Sequence, residues 1–273
     1  MAPSRIEEPF ALGPVEEVHL ENSPLALVVL QIQFPDAYSP MAAAIVERLP
    51  AAALREEYPY HDLQPEVQIV FEAGRRPQQH TGSAHVLTLR DAEAAWMIAF
   101  KEDSITVATR RYVDRADLLA RARRIFIAMQ AVVGQPQVSR VGLRYINRIT
   151  DLADVNTLTS GFNETIQPMQ TFALNGGAGM RHFQNRMLYA WEDTGMKLQT
   201  WWGTVPPNAP VAASLPAHDA TSWVLDIDAI DETDALLDPK ELTQTLSTLS
   251  EQAYRFFRWI FTPAGLAQFG IAS

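Results

Sequence analysis

The feature that most constrains the fold is a recurring order of elements: runs of strand-like alternation, each run closed by one long, capped helical stretch. Asp114 stands as an N-cap with Asp117 three residues on, and Leu118, Leu119, Ala122, Ile125, Phe126, Met129, Val132 and Val133 follow at helical spacing until Gly134. Asp238 does the same further on, with Pro239 at the first helical position and a stripe of Leu242, Leu246, Leu249, Ala253, Phe256, Phe257 and Ile260. Arg115, Arg121, Arg123 and Arg124 fall off the first stripe and read as a solvated helix face.

Before the first helix, period-two alternation marks strands at 24–34 (PLALVVLQIQF), 66–73, 84–91, 94–102 and 104–112, an antiparallel meander after a short helix expected over 39–49. EEYPYHDLQP, with two prolines, reads as loop. Before the second helix come VGLRYINRI (141–149), an irregular stretch, MQTFAL, RHFQNRMLYAWED, GMKLQTWWGT and SWVLDIDAI (222–230). Leu25 set against Arg140 gives an offset of 115 residues and the two cap aspartates give 124, a difference that an insertion in the Pro-rich segment VPPNAPVAASLPAHDAT accommodates.

The expected fold is therefore α+β: two pseudosymmetric β-α-β(n)-α units forming a curved antiparallel sheet with long helices on one face. Residues 1–23 lack periodicity and read as an N-terminal arm, 24–136 as the first unit and 137–273 as the second, with one continuous domain as the alternative. The strands PLALVVLQIQF and VGLRYINRI are expected to meet at the centre, one sheet face packing on helices and the other lining a concave surface.

Composition excludes more than it assigns. With no cysteine in 273 residues, thiol nucleophiles, disulfides and cysteine-ligated metals are out of reach. A formal charge of −10 makes nucleic acid an unfavourable partner, and nineteen arginines against three lysines fit a GC-rich bacterial genome better than a phosphate-binding surface. There is no long apolar run for a membrane span, and the acidic, proline-containing start does not resemble a secretion signal; a cytoplasmic location is expected.

Several strings imitate chemistry. VLDIDAI places Asp226 and Asp228 on one side of a strand, close enough to share a divalent cation, though two solvated aspartates on an amphipathic strand are the plainer reading. Its likeness to an aspartate-nucleophile DxDx(T/V) motif fails at Ile230 and at the short stretch of chain beyond it. LNGGAGMR (174–181) lacks the Lys-Ser/Thr of a phosphate loop, His80 and His85 lack ligand spacing, and Ser83 lacks a nucleophile elbow. No catalytic set and no cofactor are assigned. Of the neighbours Trp201 and Trp202, one must face away from the core; Trp202 is taken as the platform, near Tyr189 and Trp191.

VGLRYINRI has two mixed faces, Val141, Leu143, Tyr145, Asn147 and Ile149 against Gly142, Arg144, Ile146 and Arg148. Arg144, Tyr145 and Asn147, with Trp202, are the candidate partner-binding residues; a buried ion pair between Arg144 and Asp226 is the architectural alternative.

PLALVVLQIQF, RRYVDRADLLARARRIF, RVGLRYINRI and the late LDID together resemble a sporadically distributed bacterial family with no established activity, over the whole chain from about residue 24. Arg144, Tyr145 and Asn147 match its central motif and Asp226 and Asp228 its late one. The resemblance carries over no catalytic residue; its patchy distribution implies accessory genes, toxin-antitoxin or phage-defence systems among them. The functional expectation is a non-enzymatic binding module holding a protein segment or small molecule, with a metal-dependent hydrolase using Asp226 and Asp228, or a purely structural subunit, as alternatives.

Overall fold

The computed structural model describes residues 3–35, 54, 56–70, 78–101, 103–150, 161–166, 182–232 and 234–271. The helix expected over 39–49, the MQTFAL strand and the 174–181 glycine segment lie outside these residues.

The chain is α+β, with nine strands in one large antiparallel sheet. These are β1 (Leu25–Gln33), β2 (Tyr60–Val70), β3 (Gln78–Arg90), β4 (Trp96–Phe100), β5 (Ser104–Thr109), β7 (Arg140–Ile149), β8 (Gln184–Ala190), β9 (Met196–Val205) and β10 (Ser222–Asp231), in the order β2-β3-β4-β5-β1-β7-β10-β9-β8. The short strands β6 (Gln137–Val138) and β11 (Ala235–Leu236) pair separately. β1 and β7 are neighbours, as their patterns suggested, and they run antiparallel: Arg148 N–H donates to Pro24 O and Ser139 N–H to Gln33 O.

Both long helices form where the caps place them. In α1 (Arg115–Val133) the Asp114 carboxylate accepts from Asp117 N–H at 2.7 Å, and Gly134 ends the helix at φ 78°. In α2 (Pro239–Ile260) Asp238 Oδ1 accepts from the Lys240 and Glu241 amides while Glu241 Oε2 accepts from Asp238 N–H, a reciprocal box that satisfies the open donors of the first turn. The α2 stripe named above is wholly buried. A one-turn helix, α3 (Pro263–Ala267), follows. Among the described residues no helix is long and apolar enough to cross a membrane.

Two compact units share these elements. Unit 1 comprises Met1–Val28, Gly142–Asp231 and Leu246–Ser273; unit 2 comprises Val29–Val141 and Glu232–Thr245. In unit 1, Trp223, Phe162 and Phe261 form an aromatic core with ring centroids 5.0 to 6.2 Å apart, and a side chain at Gly265 would meet the Gly161 carbonyl at 2.3 Å. In unit 2, Leu118, Ala122, Ile125, Phe126 and Met129 bury the apolar face of α1.

Two sequence readings need correction. EEYPYHDLQP is not all loop, because β2 begins at Tyr60 and carries Pro65 beside a register shift. β2 is an edge strand, where a proline's missing N–H does little harm. Nor is Arg121 a solvated member of a helix face. It lies over the Trp96 ring at 4.5 Å, donates to Asp117 at 3.0 Å and pairs with Glu57, beside the buried Tyr58 hydroxyl. Glu57 and Tyr58, far away in sequence, are the partners that periodicity cannot reveal.

Candidate functional site

Cross-strand partners share a sheet face, so register decides which candidates meet. Arg186 of β8 lies opposite Trp201 of β9, and Trp201 opposite Asp226 of β10. From β7, Arg144 reaches the same carboxylate: its Nε donates to Asp226 Oδ1 at 2.8 Å and its Nη2 to Oδ2 at 2.6 Å. The Trp201 indole N–H donates to Oδ2 at 2.6 Å. One row across four strands thus reads Arg186, Trp201, Asp226, Arg144.

The Asp226 side chain is only 3% exposed and that of Arg144 34%. A carboxylate this deep is stable when its charge is met by directed donors, and a bidentate guanidinium plus an indole N–H supply three. In return, hydrogen bonding to Asp226 raises the Arg144 guanidinium above its ordinary value against the opposing effect of burial, with the charges of Asp226 and Asp228 adding to the rise. Asp228, half-buried two residues on, lies opposite Gln199 of β9 in the adjoining row, and the exposed Leu188 of β8 lies opposite Gln199 on its other side.

The remaining candidates face the other way. Asn147 is 3% exposed and donates to the Leu225 carbonyl at 3.3 Å; the Tyr145 hydroxyl meets Ser250 of α2 at 2.9 Å. Both tie β7 to its surroundings. Trp202 pairs with Leu225 on this inner face and is 2% exposed. Among the described residues its indole N–H has no hydrogen-bond partner, nor have Thr200 Oγ1 and Asn185 Nδ2 on the same face. Trp201, half-buried, is therefore the tryptophan that reaches the outer face. Alternation requires the pair to diverge, and only the register says which goes inward.

Arg148 extends the outer face at the far end of β7. It donates to Pro216 O at 2.8 Å from the Pro-rich segment, and desolvation lowers its guanidinium below the ordinary value. Among the described residues no group of three His, Asp or Glu side chains is placed to hold a metal ion. Both oxygens of Asp226 already accept N–H donors, one on Oδ1 and two on Oδ2, so most of its acceptor capacity is taken before any cation shared with Asp228.

No protein-family model matches the chain, and a search among curated proteins finds no relative.

Proposed function

We propose that the chain is a non-enzymatic binding module whose outer sheet face in unit 1 holds a protein segment or a small molecule. The observation that carries this reading is Trp201: half-buried, with its indole N–H fixed on Asp226, it presents a ring held in one orientation beside the Arg186 side chain. An aromatic face flanked by a cation, on strands rather than loops, binds with little loss of side-chain freedom. Arg144 serves chiefly to hold Asp226, and through it Trp201, rather than to reach a ligand itself. The metal-dependent hydrolase alternative has less support, since Asp226 is engaged on both oxygens.

The strand order supports a duplicated origin, the opening strand of each half at the centre and the later strands running outward: β1, β5, β4, β3, β2 on one side and β7, β10, β9, β8 on the other. The resemblance to a sporadically distributed family fits an accessory role, for example in a toxin-antitoxin or phage-defence system.

Tagged wild-type chain and its Trp201→Ala variant, matched for thermal unfolding, would be recovered from the native host and their bound proteins and metabolites compared. A species retained by wild type and lost from the variant is expected. Identical recoveries from the two chains would dismiss the outer face as the site.

A further inference from the structure

The N-terminal arm is held in an unusual manner. Between Pro3 and Val18 it forms no helix and no strand ladder. Instead, side chains of α2 reach out to its main chain. Gln252 Nε2 donates to Ala11 O at 3.3 Å and Arg255 Nη2 to Gly13 O at 2.9 Å; Arg258 donates to Glu16 O at 2.5 Å and to Ser4 O at 2.8 Å. The Tyr254 hydroxyl accepts from Val18 N–H at 2.7 Å. Residues 252, 255 and 258 recur at one-turn spacing, so these donors line one side of the helix. Among the arm's side chains, Arg5 pairs with Glu164 at the surface, and Phe10 is its aromatic anchor: it lies 3.8 Å from the Tyr189 ring centroid, 6.2 Å from Trp191 and 6.3 Å from Phe256, while the Trp191 indole N–H donates to Phe10 O at 3.2 Å.

Donors aimed at main-chain carbonyls read an extended backbone and not a sequence, apart from one aromatic pocket. The arm, moreover, leaves the groove incompletely satisfied. Arg258 and Gln252 are each 2% exposed, yet among the described residues Arg258 Nε and Gln252 Oε1 have no hydrogen-bond partner, and neither has Arg255 Nε. Among the described residues both guanidinium groups meet carbonyl oxygens, and neither is paired with a carboxylate. The buried Arg258 and the half-buried Arg255 are better matched by an occupant that brings negative charge.

We propose that this groove, lined by α2, Tyr189 and Trp191, is a binding site for an extended acidic peptide of a partner protein with an aromatic anchor, and that the chain's own arm occupies it as an internal competitor. A partner segment inserts its aromatic side chain where Phe10 sits, places carboxylates against Arg255 and Arg258, and releases residues 4–18. The site is separate from the Trp201 face, so Trp201→Ala leaves peptide binding intact and either proposal can fail alone.

The test uses the full-length chain and two fluorescein-labelled peptides read by anisotropy. One has the arm sequence SRIEEPFALGPVEEV (residues 4–18); the other carries Ser4→Asp and Pro14→Asp. The Phe10→Ala chain, whose arm has lost its anchor, is expected to bind the arm peptide at least about tenfold more tightly than wild type, because an intramolecular competitor lowers apparent affinity by the fraction of open groove. The acidified peptide should gain at least about another tenfold, and the gain should vanish when Arg255→Gln is added. Equal binding by the two chains, or none, overturns the arm as competitor; equal affinity for the two peptides overturns the acidic partner. Should Phe10→Ala fail to fold, amide exchange on wild type decides: excess acidified peptide must accelerate exchange across residues 5–18, and unchanged exchange overturns the proposal.

Discussion

Arg144 and Asp226 form a pair whose two halves have different consequences when removed. Arg144→Met leaves the Asp226 carboxylate, 3% exposed, with one indole donor. Breaking a buried pair costs about 3–5 kcal/mol, and the 34% exposure of Arg144 puts this case near the lower end. Arg144→Met combined with Asp226→Leu should recover most of that loss, because no buried charge is left; urea denaturation of both variants checks it. Asp231, at the end of β10, makes stability depend on pH. Burial raises its carboxyl above the ordinary 3.8, so the folded chain holds the proton more tightly than the unfolded one. The associated stability is complete below 3.8 and is lost as pH rises through the raised value. Asp231→Asn is therefore expected to melt higher than wild type at neutral pH and to lose that advantage in acid, a comparison thermal scans at the two pH values make directly.

At the scale of elements, the outer strands β8 and β9 depend on one close approach. Gly203 has φ 155°, and a side chain there would come within 2.1 Å of the Phe183 carbonyl, which itself accepts from Thr204 N–H. Backbone cannot yield as a flexible side chain would. Gly203→Ala should destabilise the chain by about 2–4 kcal/mol and speed amide exchange in β8 ahead of β10. The same hairpin shows what sequence reading reaches. Its link, Glu192–Gly195, is legible from composition, and Gly195 indeed closes it at φ 72°. That Trp201 and Trp202 oppose one another follows from period two alone. That Trp202 is the buried one follows from its pairing with Leu225 and Asn185, which no local pattern contains.

For the whole molecule, the division into units runs against chain continuity. Unit 1 needs residues 1–28 together with 142–231 and 246–273, and unit 2 needs 29–141 with 232–245, so a cut after Gln135 gives fragments that each hold an incomplete share of both. Neither fragment should fold cooperatively alone, and mixing them should restore native circular dichroism. A fragment that melts cooperatively by itself would show that folding does not follow the contact division.

The residues by themselves determined the helices and most strands, since caps and periodicity are local: Asp114 and Asp238 start their helices, and alternation from Leu25 to Gln33 makes a strand wherever it lies. They also raised the Arg144–Asp226 pair, because a mixed strand needs a carboxylate somewhere. Tertiary structure decided the rest. Pro65 is tolerated because β2 is an edge, Trp201 faces outward because of its register against Asp226, and the arm stays down because Arg255 and Arg258, over 230 residues away, donate to its carbonyls. Carbonyl oxygens are the same in every residue, so a segment recognised mainly through them is marked in its own sequence only by its anchoring side chain, Phe10.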